Sequence, residues 1–510
     1  MLFKITSAAL HGIEAYPVEV EVDICAGFPT FVTVGLPDAA VRESKERVRA
    51  ALKNCGYDLE SKRITINLAP ADRRKEGSAF DLPIALGFLA FLEVVPASRL
   101  RDYLFVGELA LDGRLKPGRG LLPIAMMARA MDFRGIVIPF ANAREAALVR
   151  GLEVFALEDL VRVVRLLREP GEVPPCRFDE RELVAPAVYP VDFEDVKGQQ
   201  HVKRALEVAA AGGHNVLLVG PPGAGKTMLA RRLPSILPDL SYDEMLEVTR
   251  VYSAAGLLAG QGTIGARPFR APHHTVTDAG LVGGGLAPKP GEVSLAHHGL
   301  LFLDELPEFK RRVLEDLRQP VEDGRVTVAR SGYSVTFPSA FMLVAAMNPC
   351  ADVRRGLLGK TADCTESEKA RYYSKISGPL LDRIDIQLDV PEVKFGDIVS
   401  RTPAESSASI RARVTAARER QSTRFAGRRL FANARMGPKE VKEFCRIPPE
   451  AEKLLEMAVT KLGFSARAFD RVLKVARTIA DLEGKDSIET PHVSEAIQYR
   501  MMDRLGNPQR

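Results

Sequence analysis

Gly220-Pro221-Pro222-Gly223-Ala224-Gly225-Lys226-Thr227 follows the apolar run Asn215 to Val219 and precedes Met228-Leu229-Ala230-Arg231-Arg232. In that order the three pieces read as a buried strand, a phosphate loop and a helix. Glycines let successive backbone N–H groups close around phosphate oxygens. Lys226 is the residue type that reaches the β and γ phosphates, and the Thr227 hydroxyl can ligate Mg²⁺. The segment Gly220 to Met228 is therefore expected to bind ATP or GTP together with Mg²⁺.

Two further apolar runs end in groups that suit the same chemistry. Leu300 to Glu305 reads LLFLDE, a buried strand closing on two carboxylates. Asp304 is placed to hold the Mg²⁺ water shell, and Glu305 to orient and deprotonate an attacking water. Phe341 to Asn348 reads FMLVAAMN, another buried strand, whose terminal amide can position that water.

Composition sets the outer limits. A length of 510 residues corresponds to about three domains. The chain is 46% hydrophobic and 27% charged, as expected for a globular protein. Its net charge of +5 permits an anionic partner without requiring one. Cys25, Cys55, Cys176, Cys350, Cys364 and Cys445 include no CxxC pair, so no disulfide framework is expected and a reducing cytoplasm is. The apolar run Leu82 to Leu92 is too short to span a bilayer, and the opening MLFKITSAALHG lacks the apolar core of a secretion signal.

Patterning divides the chain. Residues 1–165 alternate strand-like runs (Val18 to Val22, Ile64 to Asn67, Leu104 to Val106, Gly135 to Ile138) with helical ones (Ala39 to Asn54, Phe80 to Leu92, Ile124 to Met131). A Pro-punctuated linker occupies 166–190. An α/β core is expected over 191–395, and a helical segment over 396–510.

The order of phosphate loop, Asp304-Glu305, Asn348, the stretch Gly378 to Asp385 (GPLLDRID) and Ser465-Ala466-Arg467 resembles the AAA+ ATPases. It is similar in particular to the magnesium chelatase-like ComM (YifB) family. Residues 35–48, 67–86, 269–285 (FRAPHHTVTDAGLVGGG) and 474–482 carry the same resemblance through all the segments. It implies an α/β fold with a Lon-protease-like N-terminal domain, an AAA+ core and a C-terminal helical lid. It also implies a cytoplasmic homo-oligomeric ring, a hexamer, hydrolysing ATP with Mg²⁺ and without a membrane. Arg383 matches the arginine that acts on the neighbouring subunit's γ-phosphate, with a local salt bridge to Asp382 or Asp385 as the competing role. Arg467 matches the lid arginine, with Arg471 the alternative one turn on, and Asp195 to Gln199 match the segment facing adenine.

Departures from related patterns carry their own expectations. Lon proteases need a serine and a lysine where this chain has Ala79 and Leu122, with Ser78 one residue out of register, so the N-terminal domain is expected to lack peptidase activity. Family members often carry four cysteines where this chain keeps Cys350 and Cys364. Two thiols fall short of a structural zinc site, and none is expected.

For a partner, DNA is expected. Arg325 to Phe337 reads as a β-hairpin with Arg330 and Tyr333 near its tip, and related ring helicases project such a hairpin into their channel. Residues 396–430 add eight basic against three acidic residues; Arg413, Arg420 and Arg424 fall on one helical face, which is either a solvated face or a phosphate contact. His273, His274, His297 and His298 are expected to be pore-facing or structural. The resemblance thus implies a DNA-dependent motor driving branch migration. A magnesium chelatase-type ATPase subunit and a protein-remodelling chaperone are the alternatives.

Overall fold

The computed structural model describes residues 1–58, 62–75, 77–178, 187–258, 262–285, 288–330, 333–350, 352, 364–399, 404–428, 430–462 and 464–500. They form two compact units. One comprises Met1–Ala185 with Ser241–Gly265, and the other Pro186–Leu240 with Ala266–Arg510. Part of the expected linker, 179–186, lies outside the described residues.

In the first unit, β1 (Leu2–His11), β2 (Glu14–Cys25), β3 (Thr30–Val34) and β4 (Arg63–Ala69) form a sheet in the order β1-β2-β4-β3. Alternation along β2 buries Val18, Val20, Val22 and Ile24 on one face, the period-2 signature of a half-buried strand. The helix Ala39–Asn54 has the bounds read from its sequence, started by the Asp38 carboxylate accepting from the Val41 N–H at 2.8 Å. The apolar run beyond Phe80 becomes the helix Asp81–Phe91, buried on all sides. Among the described residues no helix is long and apolar enough to cross a membrane.

A second sheet in this unit has β5 (Tyr103–Phe105), β8 (Gly135–Pro139) and β9 (Glu153–Leu157) all parallel, with β6 (Glu108–Leu109) and β7 (Leu115–Lys116) paired separately. The helix Tyr242–Ala255, opened by a Ser241–Glu244 capping box, belongs to this unit although it follows the phosphate loop in sequence. Its Ser253 hydroxyl donates to the buried Glu145 carboxylate at 2.6 Å, which also accepts from Asn142 Nδ2 at 2.5 Å.

In the second unit, β10 (Val216–Val219), β11 (Phe269–Arg270), β14 (Leu300–Leu303), β17 (Met342–Met347) and β18 (Ile386–Asp389) form a parallel sheet in the order β11-β14-β17-β10-β18. The inner strands are apolar runs buried on both faces, as a covered parallel sheet requires. Two antiparallel pairs lie outside this sheet: β12 (Gly283–Gly284) with β13 (Lys289–Pro290), and β15 (Arg325–Arg330) with β16 (Tyr333–Pro338). The expected hairpin is thus present with Arg330 opposite Tyr333; residues 331–332 and the side chains of Arg330 and Tyr333 lie outside the described residues. Helices Ser407–Arg424, Pro438–Phe444, Pro449–Leu462, Ala466–Leu482 and Thr490–Gln498 pack into one apolar core with the sheet, joining Val216, Val344 and Ile386 to Val414, Val472 and Ile479.

A buried charge cluster ties this helical segment to the sheet. Asp385 accepts from the Asn215 N–H at 3.1 Å, lies 2.5 Å from Arg471 Nη1 and 3.5 Å from His214 Nδ1. Burial pushes the Asp385 carboxyl upward, yet the charge of Arg471 and the His214 contact outweigh it and hold the group below the usual carboxylate range. Burial likewise holds His214 below the ordinary imidazole value, against the pull of Asp385.

Both shifts are downward, so their stability is present above the unfolded values and lost as pH falls. The melting temperature should fall as pH drops below about 6.5, the unfolded histidine value, and fall again below about 4, where the unfolded aspartate titrates. Asp385→Asn should cost about 3–5 kcal/mol at neutral pH, the usual penalty for stranding a buried partner charge, and lessen the lower transition. Scanning calorimetry across pH checks both.

Candidate functional site

Each inner strand of the parallel sheet delivers one expected group at its C-terminal end: β10 the phosphate loop, β14 the acidic pair, and β17, lying between them, Asn348. The strands are parallel, so the groups meet at one sheet edge, the place where open α/β sheets bind ligands. Lys226 donates to Asn348 Oδ1 at 2.9 Å and to the carbonyls of Gly220 and Pro221 at 2.6 and 2.8 Å. Thr227 Oγ1 donates to Asp304 Oδ2 at 2.6 Å. Burial lowers the Lys226 ammonium from its ordinary value, opposed by Asp304.

Backbone demands explain the loop's glycines at two positions. A Cβ on Gly220 would stand 2.2 Å from the Val390 carbonyl oxygen. Gly225 begins the helix Lys226–Arg232 at a φ of 86°, a left-handed conformation costly for other residues. Within the loop Pro222 and Gly223 are exposed, whereas Ala224 and Lys226 are buried and Met228 packs against the core. A Cβ on Gly223 would meet no atom within 4 Å, so the loop's outer side has room for a phosphate group. The neighbouring hydroxyl and carboxylate oxygens of Thr227 and Asp304 are the hard donors Mg²⁺ prefers. These residues fit ATP and Mg²⁺.

Glu305 sits at a left-handed φ of 52°, a strained state for a non-glycine residue, fixed by its N–H donating to Asp304 Oδ1 at 3.0 Å. Its carboxylate is 58% exposed and lies 3.4 Å from His274 Nδ1. Tyr372 donates to the Asn348 carbonyl at 2.8 Å, holding the end of β17. Gln199, in the segment expected to face adenine, donates to the Ala224 carbonyl at 3.0 Å and the Pro391 carbonyl at 2.8 Å, bracing the loop from behind.

Other residues take partners the sequence did not indicate. Arg383 is paired with Glu322 of the helix Arg318–Asp323, through Nε at 3.0 Å and also through Nη2, instead of with Asp382 or Asp385. Arg467, 67% exposed, lies 3.7 Å from Asp382, whereas Arg471, the alternative, is paired with buried Asp385. Of the basic helical face, Arg413 is held by Glu207 and Glu405, and Arg424 by Asp481 and Asn433. Both arginines are thus engaged by carboxylates of the chain itself.

One correction concerns cysteine. Cys350 and Cys364 form a disulfide with Cα atoms 6.2 Å apart, a bond the scattered spacing did not signal and a departure from the all-thiol state expected. Of the histidines expected to be pore-facing or structural, His274 Nδ1 lies 3.4 Å from Glu305, and buried His297 accepts from the Ala340 N–H at 3.0 Å, a structural role. In the first unit Ser78 donates to Glu108, and Leu122 is buried with its N–H on Glu145 at 3.3 Å. A cavity of about 740 Å³ in that unit is lined by Ala8, Ser78, Glu108, Asn142 and Glu145.

A parallel sheet whose central strands converge on a lysine, a threonine and a carboxylate in these positions defines a phosphate-loop α/β protein. Comparison with known proteins narrows the class. Residues 192–398 match the family model of magnesium chelatase, subunit ChlI; 20–142 match that of subunit ChlI of Mg-chelatase, and 404–500 that of the subunit ChlI C-terminal region. The chain is 45% identical to the YifB protein of Escherichia coli K12 over 502 residues, covering 98% of this chain and 97% of that one. It is 44% identical to the competence protein ComM of Haemophilus influenzae over 503 residues, with the same coverage. A 38 kDa magnesium-chelatase subunit from Acidiphilium rubrum is 28% identical over 206 residues, covering 35% of this chain and 59% of that protein. The chain belongs to the ComM (YifB) family of magnesium chelatase-like AAA+ proteins.

Proposed function

We propose that this chain is an ATP-hydrolysing AAA+ ring motor that acts on DNA, as a branch-migration helicase in recombination or transformation. The observation that carries the ATPase reading is the meeting of Lys226 with Asn348 at 2.9 Å and of Thr227 with Asp304 at 2.6 Å, with Glu305 next in the chain. Bound Mg²⁺–ATP supplies the electrophilic γ-phosphoryl group. Lys226 Nζ would bind the phosphate oxygens, Thr227 and Asp304 would hold the metal, and Asn348 would orient a water. Glu305 then takes that water's proton on a carboxylate oxygen. Arg467 contributes from the helical lid, its exposure leaving the guanidinium accessible.

The DNA assignment is supported by the name of the competence protein that resembles this chain almost end to end, and by the hairpin β15–β16. In this reading residues 1–165 are a Lon-protease-like domain without peptidase activity, 166–190 a linker, 191–395 the ATPase core, apart from the stretch 241–265 that belongs to the first unit, and 396–510 the lid. The ring is a cytoplasmic hexamer without structural zinc, and Arg383 acts on the neighbouring subunit's nucleotide. The magnesium-chelatase family name supports a second reading, an ATPase subunit serving a tetrapyrrole insertase. ATPase stimulation by forked DNA supports the first reading. Stimulation only by a porphyrin-loaded partner supports the second, and by a protein client a remodelling chaperone.

Lys226→Ala and Glu305→Gln should each lower turnover by at least about 100-fold, the usual contribution of such groups. Only the lysine variant should lose ATP affinity, measured with a fluorescent nucleotide; full turnover by Glu305→Gln would remove that residue from the chemistry.

Mixing Arg383→Ala protein with Lys226→Ala protein should recover part of the ATPase activity, because some subunit boundaries then pair an intact loop with an intact arginine. Absence of recovery in rings shown to contain both chains would leave Arg383 as a local partner of Glu322.

DNA affinity should fall steeply with salt, and Arg330→Ala should reduce that slope by about one unit while sparing ATP binding. An assembled, ATP-loaded protein with no affinity for single-stranded, duplex or forked DNA at low salt would overturn the DNA assignment.

A further inference from the structure

In the first unit a buried carboxylate has partners but no counter-charge. Glu145 is 4% exposed. Its Oε1 accepts from Asn142 Nδ2 at 2.5 Å, and its Oε2 from the Ser253 hydroxyl at 2.6 Å and the Leu122 N–H at 3.3 Å. The Asn142 amide is fixed in this sense, because its Oδ1 accepts from the Gly118 N–H at 2.9 Å while Nδ2 donates to the Gly118 carbonyl at 2.8 Å. Burial pushes the Glu145 carboxyl upward, and the three donors pull against it by favouring the ionised form.

A buried carboxylate held by neutral donors still lacks the positive charge that offsets its loss of water. Among the described residues no arginine, lysine or histidine forms an ion pair with it. The start of the helix Leu121–Ala130, which supplies the Leu122 N–H, offers only about half a unit of charge.

The cavity of about 740 Å³ opens on this group, and Glu145, Asn142 and Ser253 form part of its wall. Glu108 brings a second carboxylate to the same space, hydrogen-bonded by the Ser78 hydroxyl. Arg47 feels the Glu108 charge, but its guanidinium is taken by Asp81 at 2.7 and 3.1 Å. Exposed Arg119 also borders the cavity and, among the described residues, pairs with neither carboxylate. Aliphatic wall comes from Leu10, Ile124 and Leu258. The volume falls within the range of about 300–1,000 Å³ usual for small organic ligands, and two carboxylates are too few to cage a bare metal ion.

We propose that this cavity binds an aliphatic amine with more than one ammonium group, Glu145 and Glu108 supplying the counter-charges and the apolar wall receiving the alkyl chain. Every residue of the site belongs to the first unit, so the proposal stands apart from the nucleotide chemistry of the second. Ammonium groups donate to the carboxylate oxygens, and methylene groups lose water against leucine and isoleucine.

The test is calorimetric titration of the full chain without nucleotide, in about 150 mM potassium chloride so that loose surface attraction is screened. Cadaverine and spermidine are the probes, and the diol of cadaverine's chain length is the uncharged control. Both amines should bind one to one and saturate below about 1 mM, with no binding of the diol. Glu145→Gln and Glu108→Gln should each weaken binding about tenfold or more, the usual worth of a charged hydrogen bond, whereas Glu46→Gln, on the exposed side of the helix Ala39–Asn54, should leave it unchanged. Absence of saturable binding to wild type, equal binding of the diol, or undiminished affinity in Glu108→Gln would overturn the proposal. If Glu145→Gln fails to fold, Glu108→Gln decides together with the wild-type melting temperature, which the amines should raise and the diol should not.

Discussion

A carboxylate with almost no access to water has to be neutralised by its neighbours, and Asp385 gathers its own from three parts of the chain. Arg471 comes from the helix Ala466–Leu482, His214 from just beyond the helix Gln200–Gly212, and the Asn215 N–H from the residue just before the inner strand β10. Asn215 extends the grip: its side chain donates to the Arg383 carbonyl and accepts from the Leu343 N–H, each at 2.9 Å. One end of β10 is thereby registered against β17, against β18 and against the helical segment. The other end carries the phosphate loop.

This arrangement separates what holds the second unit together from what it does. Charges at the strand entrances are buried and matched, whereas those at the exits stay partly open. Lys226 is buried but surrounded by oxygen atoms only, Glu305 is exposed on a strained backbone, and Arg467 projects into solvent. The three hydrogen bonds of Lys226 all go to neutral oxygens, which leaves its charge for an anionic ligand, and local strain is tolerated because the strands beneath are fixed by parallel pairing on both sides.

Much of this was legible where local sequence dictates local structure. The phosphate loop, the acidic pair and Asn348 each end an apolar run, and a buried strand followed by a polar residue has few alternative readings. The helix Ala39–Asn54 was legible to the residue because Asp38 caps it. The partners of charged side chains were not legible. Glu322 and Arg471 lie on two different helices and Arg383 and Asp385 on the connection before β18, and each arginine had nearer carboxylates in sequence than the one it uses. Choice among them depends on burial and on which element faces which, information carried by the tertiary fold. The Cys350–Cys364 bond and the contact of His274 with Glu305 escaped for the same reason; only the pairing of β11 with β14 brings the latter together.

The first unit is discontinuous in the chain, and this has a consequence for the order in which the protein can be made. Glu145 is buried, and burial pushes its carboxyl upward; Ser253 is one of the groups that satisfy it, yet Ser253 is synthesised more than a hundred positions later. Domains translated from the N-terminus generally fold as units while the ribosome continues. Here the first unit has to wait, its polar pocket incomplete, until the strand and phosphate loop of the second unit have already emerged. A nascent chain stopped between residues 185 and 241 would expose the surface that the helix Tyr242–Ala255 covers. Completion of the N-terminal unit is therefore a report that the nucleotide loop has been translated.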